Sequence, residues 1–177
     1  MAYYATMRLS LGVCDVRSWR PGDADAIVRH ANNRKVWLNL RDAFPHPYTR
    51  RDARAFLLSV LGARPETQFA IEVDGAAVGG IGFRIQSDVE RIGAELGYWL
   101  GEAYWGRGIA TAAVRAVTEH AFTAHELRRV FALPFADNVA SARVLEKAGF
   151  QLEGVLRSSA IKDGRVLDQR LYARIRA

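Results

Sequence analysis

Glu102-Ala103-Tyr104-Trp105-Gly106-Arg107-Gly108-Ile109-Ala110-Thr111 stands between two segments of different period. Ahead of it, Ala94-Glu95-Leu96-Gly97-Tyr98-Trp99-Leu100 reads as a strand. Behind it, Ala110, Ala113, Val114, Val117 and Ala121 recur at helical spacing. The chain therefore passes from a strand through a glycine turn directly into a helix. Gly106 and Gly108 lack the Cβ that would hold another group away from the backbone. The first helical turn presents N–H groups without partners and the positive end of the helix dipole. Such a turn suits a phosphate or pyrophosphate.

Two common phosphate loops are excluded at this site. Thr111 occupies the position where a dinucleotide fingerprint needs glycine or alanine, and the Gly-Lys-Ser/Thr of a P-loop is absent. A strand–helix turn that needs its glycines only for packing is the alternative. A second stretch, Asn138-Val139-Ala140-Ser141-Ala142-Arg143-Val144-Leu145-Glu146-Lys147-Ala148-Gly149-Phe150, is more discriminating. Each residue has a plain structural reading: Asn138 as a helix N-cap, Val144, Leu145 and Ala148 as core, Gly149 as the residue that closes the helix. The two stretches in this order, separated by one helix and one strand, are much harder to explain by packing alone.

Together they resemble the GNAT acetyltransferase superfamily. Trp105 to Ala110 is similar to its acetyl-CoA loop, Gln/Arg-x-x-Gly-x-Gly/Ala, with Trp105 in place of Gln or Arg. The second stretch is similar to the family's Asn-x-x-Ser…Lys-x-Gly-Phe segment. The closest subgroup is RimJ/RimL-like, whose members acetylate protein N-termini. Glu95-Leu96-Gly97-Tyr98-Trp99-Leu100 and the Asp163-Gly164 hairpin with Asp168 and Tyr172 carry that part of the likeness. It covers most of the chain from Gln68 onward, whereas residues 20–66, which shape the acceptor site in this family, match loosely.

The resemblance implies a mixed α/β, three-layer α-β-α fold with a predominantly antiparallel, splayed sheet of about seven strands, formed by residues 1–177 as a single domain. It implies acetyl-CoA as co-substrate and no metal. The backbone near Tyr98 and Leu100 would bond the pantetheine arm as an added strand bonds a sheet edge. The amides of Trp105, Gly106, Arg107, Gly108, Ile109 and Ala110 would take the pyrophosphate, Asn138 the pantetheine and Ser141 the region of the sulfur. The implied reaction is direct attack of a neutral primary amine on the thioester. Glu95, an acid on an otherwise apolar strand, is the candidate base, with His46 or a bound water as the other options. Ser141 is the first choice of acid, ahead of Tyr98 and Tyr172. A protein α-amine, with pKa about 7.7 to 8.0, asks less of a base than a lysine at about 10.4. The expected acceptor is therefore a protein or peptide N-terminus. A small amine (a polyamine or aminoglycoside) and a non-catalytic acetyl-CoA-binding module are the alternatives, and monomer and homodimer both stay open.

Composition sets the outer bounds. The 177 residues suit one domain, and 50% hydrophobic content supplies a core. The net charge of +6 suits an anionic ligand, yet the basic residues are scattered and match no nucleic-acid motif, so direct nucleic-acid binding is not expected. A single cysteine, Cys14, excludes an internal disulfide and a multi-cysteine metal site. Neither a membrane-spanning run nor a signal-peptide pattern at Met1-Ala2-Tyr3-Tyr4 is present, which fits a cytoplasmic protein.

The remaining elements follow from pattern. Residues 13–19 read as a strand, 26–31 and 34–40 as short helices, and 50–61 as a helix capped by Thr49 with Ala53, Phe56, Leu57 and Val60 inward. Strands at 68–73 and 76–85 flank the Asp74-Gly75 turn, and 93–100 completes the meander. A strand at 129–133, a helix at 139–148 and a hairpin of 150–161 with 165–175 close the chain.

Overall fold

The structure, a computed structural model, describes residues 6–177; the Met1-Ala2-Tyr3-Tyr4 reading lies outside them. Eight strands form one sheet: β1 (Arg8–Ser10), β2 (Asp15–Ser18), β3 (Gln68–Val73), β4 (Ala76–Ile85), β5 (Gly93–Leu100), β6 (Arg129–Ala132), β7 (Gln151–Lys162) and β8 (Arg165–Ile175). Their order is β1-β2-β3-β4-β5-β6-β8-β7. Every adjacent pair is antiparallel except β5 and β6. The helices are α1 (Ala24–Ala31), α2 (Arg34–Trp37), α3 (Arg50–Val60), α4 (Ile109–Ala124) and α5 (Val139–Lys147).

Seven of these strands match the expected ones. The eighth, β1, carries no pattern that could announce it: three residues, with only Leu9 packing on the core. The helix expected over 34–40 stops at Trp37. Asp23, at the N-cap of α1, makes no side-chain cap bond to that helix. Its carboxylate turns from the helix start to the buried Arg17 guanidinium, accepting two bonds of 2.8 Å. Arg17 also binds Glu72 on β3. A charge this deep is tolerated because its fork of donors is met by carboxylates.

One core lies between the sheet and helices α4 and α5, with Phe69, Val78, Phe83, Leu96, Val114, Val117 and Leu145 among its members. Cys14 belongs to it, and burial pushes its thiol up to about 11, away from reactivity. A second core on the opposite face packs Ile27, Ala31, Ala53 and Leu57 of α1 and α3 against Trp19, Ala70 and Ala77. Those two cores make the three layers. Alternation along β5 then sends Ala94, Leu96, Tyr98 and Leu100 toward α4 and α5, and Glu95, Gly97 and Trp99 toward α1 and α3.

The sheet opens in its middle. β5 and β6 pair only over Gly93–Glu95 with Arg129–Phe131. Beyond that, β5 stays with β4 as far as Leu100, while β6 follows β8. Pro134, just past the end of β6, has no N–H to give to β5, and its carbonyl accepts from Arg170 instead.

Candidate active site

The opening between β5 and β6 is the waist of a cleft of about 1340 Å³ that reaches both faces of the sheet. On the α4 and α5 face it is lined by the Gly106–Thr111 turn and by Asn138, Ser141 and Lys147. On the α1 and α3 face it is lined by Phe44, Phe56, Arg84, Glu95, Gly97 and Trp99.

The glycine turn has the geometry of an anion cradle. Gly106 and Gly108 adopt φ of +74° and +77°, and nothing lies within 4 Å of where a Cβ would stand on either. The glycines are thus required by the left-handed backbone and leave open space above it. Helix α4 has Gly108 as its N-cap residue, with no side-chain cap, and its first i→i−4 bond is donated by Ala112 to the Gly108 carbonyl. The N–H groups of Ile109, Ala110 and Thr111 precede that bond and stand at the cleft. Arg107 packs its guanidinium 5.3 Å from the centre of the Tyr104 ring. The indole N–H of Trp105 donates to the Leu100 carbonyl at 2.7 Å. The tryptophan therefore ties the turn to the end of β5, and its backbone N–H is already given to the Glu102 carbonyl at 3.1 Å, so the amides open to a ligand begin after Trp105.

The β4–β5 ladder fixes which backbone groups of β5 face the opening. Gly101 N–H donates to Val78, and Gln86 N–H to Gly93. With alternation, residues 95, 97 and 99 bond to β4, and beyond the stretch paired with β6, Tyr98 and Leu100 turn their N–H and C=O groups toward the gap. The Leu100 carbonyl is taken by Trp105, so the edge available for an added strand consists of Tyr98 and the Leu100 N–H.

Across the gap, the Tyr98 hydroxyl lies 2.7 Å from the Ser141 hydroxyl. Burial pushes the Tyr98 phenol up to about 12, so it keeps its proton at neutral pH. Asn138 caps α5 by accepting from the Ser141 N–H at 3.0 Å, and the residue lines the cleft. Tyr172 is not in the cleft; it is buried and donates to Glu146. His46 stacks on Trp37 at 5.6 Å and lines no part of the cleft.

Glu95 sits on the other face, 13% exposed, with Arg84 at 2.8 Å on one oxygen and Arg41 on the other. Its neighbours on that face form a slot: the cross-strand pairs Arg84–Glu95, Gly82–Gly97 and Gly80–Trp99 succeed one another. No atom lies within 4 Å of a Cβ built on Gly97, so the slot is open above the backbone there. Its far wall is aromatic, Phe44 meeting Trp99 at 5.6 Å and Tyr48 at 4.7 Å. Sequence reasoning missed this wall and both arginines; the signal was the aromatic content of Phe44-Pro45-His46-Pro47-Tyr48.

The segment carrying Arg41 and Phe44 is held from outside. Lys162, at the tip of the β7–β8 hairpin and 2% exposed, donates to Asp42 at 2.8 Å and lies 3.8 Å from the centre of the Trp37 ring. Asp163 beside it pairs with Arg34 at 2.6 Å. Among the described residues, no group of three or more His, Cys, Asp or Glu could hold a metal ion, and no helix is long and apolar enough to cross a membrane.

A family model described as "Acetyltransferase (GNAT) domain" matches residues 15–151. The uncharacterized N-acetyltransferase p20 of Bacillus licheniformis is 31% identical over 155 residues, 85% of this chain and 86% of that one. The ribosomal-protein-serine acetyltransferase of Escherichia coli (strain K12) is 40% identical over 82 residues, 46% of each chain. The chain spans about half the length of that enzyme and of another curated relative it matches. Among solved structures, Mycobacterium smegmatis RimJ in complex with CoA-disulfide superposes with a TM-score of 0.81 at 28% identity, covering 97% of this chain and 86% of that one.

Proposed function

The chain belongs to the acetyltransferase (GNAT) family, and from that membership we propose that it transfers acetyl from acetyl-CoA to the N-terminal α-amine of a protein or peptide. The observation that carries the reading is the cleft passing through the sheet, with an anion cradle on one face and an aromatic slot with a carboxylate on the other.

Acetyl-CoA supplies an acyl group already activated as a thioester. The amides from Gly106 to Ala110 bind its pyrophosphate, and the Tyr98 and Leu100 backbone groups align the pantetheine. The slot receives the amine from the opposite face, which keeps donor and acceptor from competing for one entrance. Glu95 takes the proton that the amine must lose, directly or through a water. Both its oxygens are held by arginines, so one guanidinium has to yield as the acceptor enters. The Tyr98–Ser141 pair offers a proton to the departing thiolate, which at pKa about 8.5 needs only modest help.

The acceptor assignment draws support from the ribosomal-protein-serine acetyltransferase among the relatives and from the charge around the slot. Arg41 and Arg84 outweigh Glu95, an environment that repels polyamines and aminoglycosides. Incubating the enzyme with acetyl-CoA and a peptide library, followed by mass spectrometry, should locate the added acetyl on N-terminal amines. Acetylation of spermidine or an aminoglycoside with peptides untouched overturns the acceptor. Calorimetric binding of acetyl-CoA with no turnover against any amine reduces the chain to a binding module.

A further inference from the structure

The three charges at the mouth of the slot do not balance. Arg41 and Arg84 both bond Glu95, leaving one positive charge where the acceptor must enter. Glu95 is 13% exposed, whereas the Arg41 and Arg84 side chains are 66% and 74% exposed. Each guanidinium carries five N–H donors in a planar fork, and each reaches Glu95 through a single terminal nitrogen. Most of both forks therefore faces solvent at the entrance. The other acid at the cleft, Asp52, is engaged with Thr49 in the cap of α3. Lys35, the remaining cation on this side, is paired with Glu102.

From this arrangement we propose that the preferred acceptor bears a carboxylate close to its amine: an acidic side chain in the first two or three residues of the N-terminus, bound by Arg41 and Arg84. The inference rests on the N-terminal reading above. The amine approaches Glu95 and the acceptor carboxylate replaces Glu95 on the arginine forks. That exchange keeps both guanidiniums paired and frees the Glu95 oxygens for the amine. The positive mouth also disfavours the ammonium form of the amine, so the neutral nucleophile is presented more readily. Arg84 lies on β4 and Arg41 on the segment after α2, so the two approach from different elements and grip a carboxylate from two directions.

The test uses three C-terminally amidated peptides that differ at residue two, Ser-Asp, Ser-Asn and Ser-Lys, with the enzyme and saturating acetyl-CoA. The expected order of kcat/KM is Asp above Asn above Lys, with about tenfold between Asp and Asn for one charge-assisted contact. In Arg41→Gln and Arg84→Gln the Asp/Asn ratio should shrink toward one, a readout that a general loss of activity or folding would leave unchanged. Equal rates on Asp and Asn peptides, or a preference that survives both substitutions, overturns the inference and leaves the N-terminal reading standing. Acetylation of free aspartate with no reaction on any peptide overturns both.

Discussion

The hydroxyls of Tyr98 and Ser141 lie 2.7 Å apart, one on β5 and the other in the first turn of α5, bridging the two walls of the opened sheet. Because burial keeps the Tyr98 phenol protonated, the pair has a proton to give and no tendency to take one. Tyr98→Phe and Ser141→Ala should each lower kcat, by about a hundredfold at the lower end of general-acid effects, with the dissociation constant of acetyl-CoA nearly unchanged. Normal turnover in both variants removes the acid role from the pair.

Gly108 opens α4 with φ +77°. Gly108→Val forces a branched side chain into the left-handed region, at a cost of roughly 1–2 kcal/mol, and places it above the cradle. Calorimetry should find acetyl-CoA binding lost in a protein that still melts cooperatively. An unchanged dissociation constant would contradict the cradle. Arg107→Ala should weaken binding mildly, and less so in high salt.

Glu95→Gln keeps the shape of the side chain and removes its basicity. Turnover should fall most below about pH 8 and recover as the α-amine loses its proton unaided. A pH profile identical to wild type would leave Glu95 only its two arginine contacts and point to a water as the base.

Lys162→Met should loosen the segment that carries Arg41 and Phe44. Asp42 is 75% exposed, so it loses little when its partner goes, and global stability should change little. The KM for the acceptor should rise several-fold while acetyl-CoA affinity holds. Equal changes in both constants would show that the hairpin tip supports the whole fold and not the acceptor wall.

His120 and His125 stand 5.7 Å apart and pack on Phe83. Burial holds both imidazoles below their ordinary value, and for His120 the neighbouring His125 adds to this while Glu66 opposes it. The unfolded chain therefore binds more protons than the folded one as pH falls below about 6.5, and stability must fall with it. Melting temperature should decline from about pH 7 to pH 5, and His120→Gln with His125→Gln should flatten that decline. The same slope in the double variant would assign the acid sensitivity to other groups.

Much of the architecture was legible because its signals are local. Asp74-Gly75 and Asp163-Gly164 fix two hairpins with φ values that favour Gly and Asp. Thr49 caps α3 through Asp52, and Asn138 caps α5, each within three residues. Gly106 and Gly108 announce the turn before α4 because a left-handed backbone leaves few other residues acceptable. Strand β1 was missed because it depends on pairing with β2 instead of on a pattern of its own.

The amino-acid sequence by itself thus determined the order of the elements, the turn that opens α4 and the family, since each is written in neighbours along the chain. Only the tertiary structure decided what faces what. Tyr98 meets Ser141 across 43 positions, Arg41 meets Glu95 across 54, and Lys162 meets Asp42 across 120. The two-residue period of β5 then divides the site, sending Tyr98 to the cradle side and Glu95 to the slot. No spacing rule reaches over such separations. They are set by where two cores pack on one sheet and by the point, after Glu95, where that sheet comes apart.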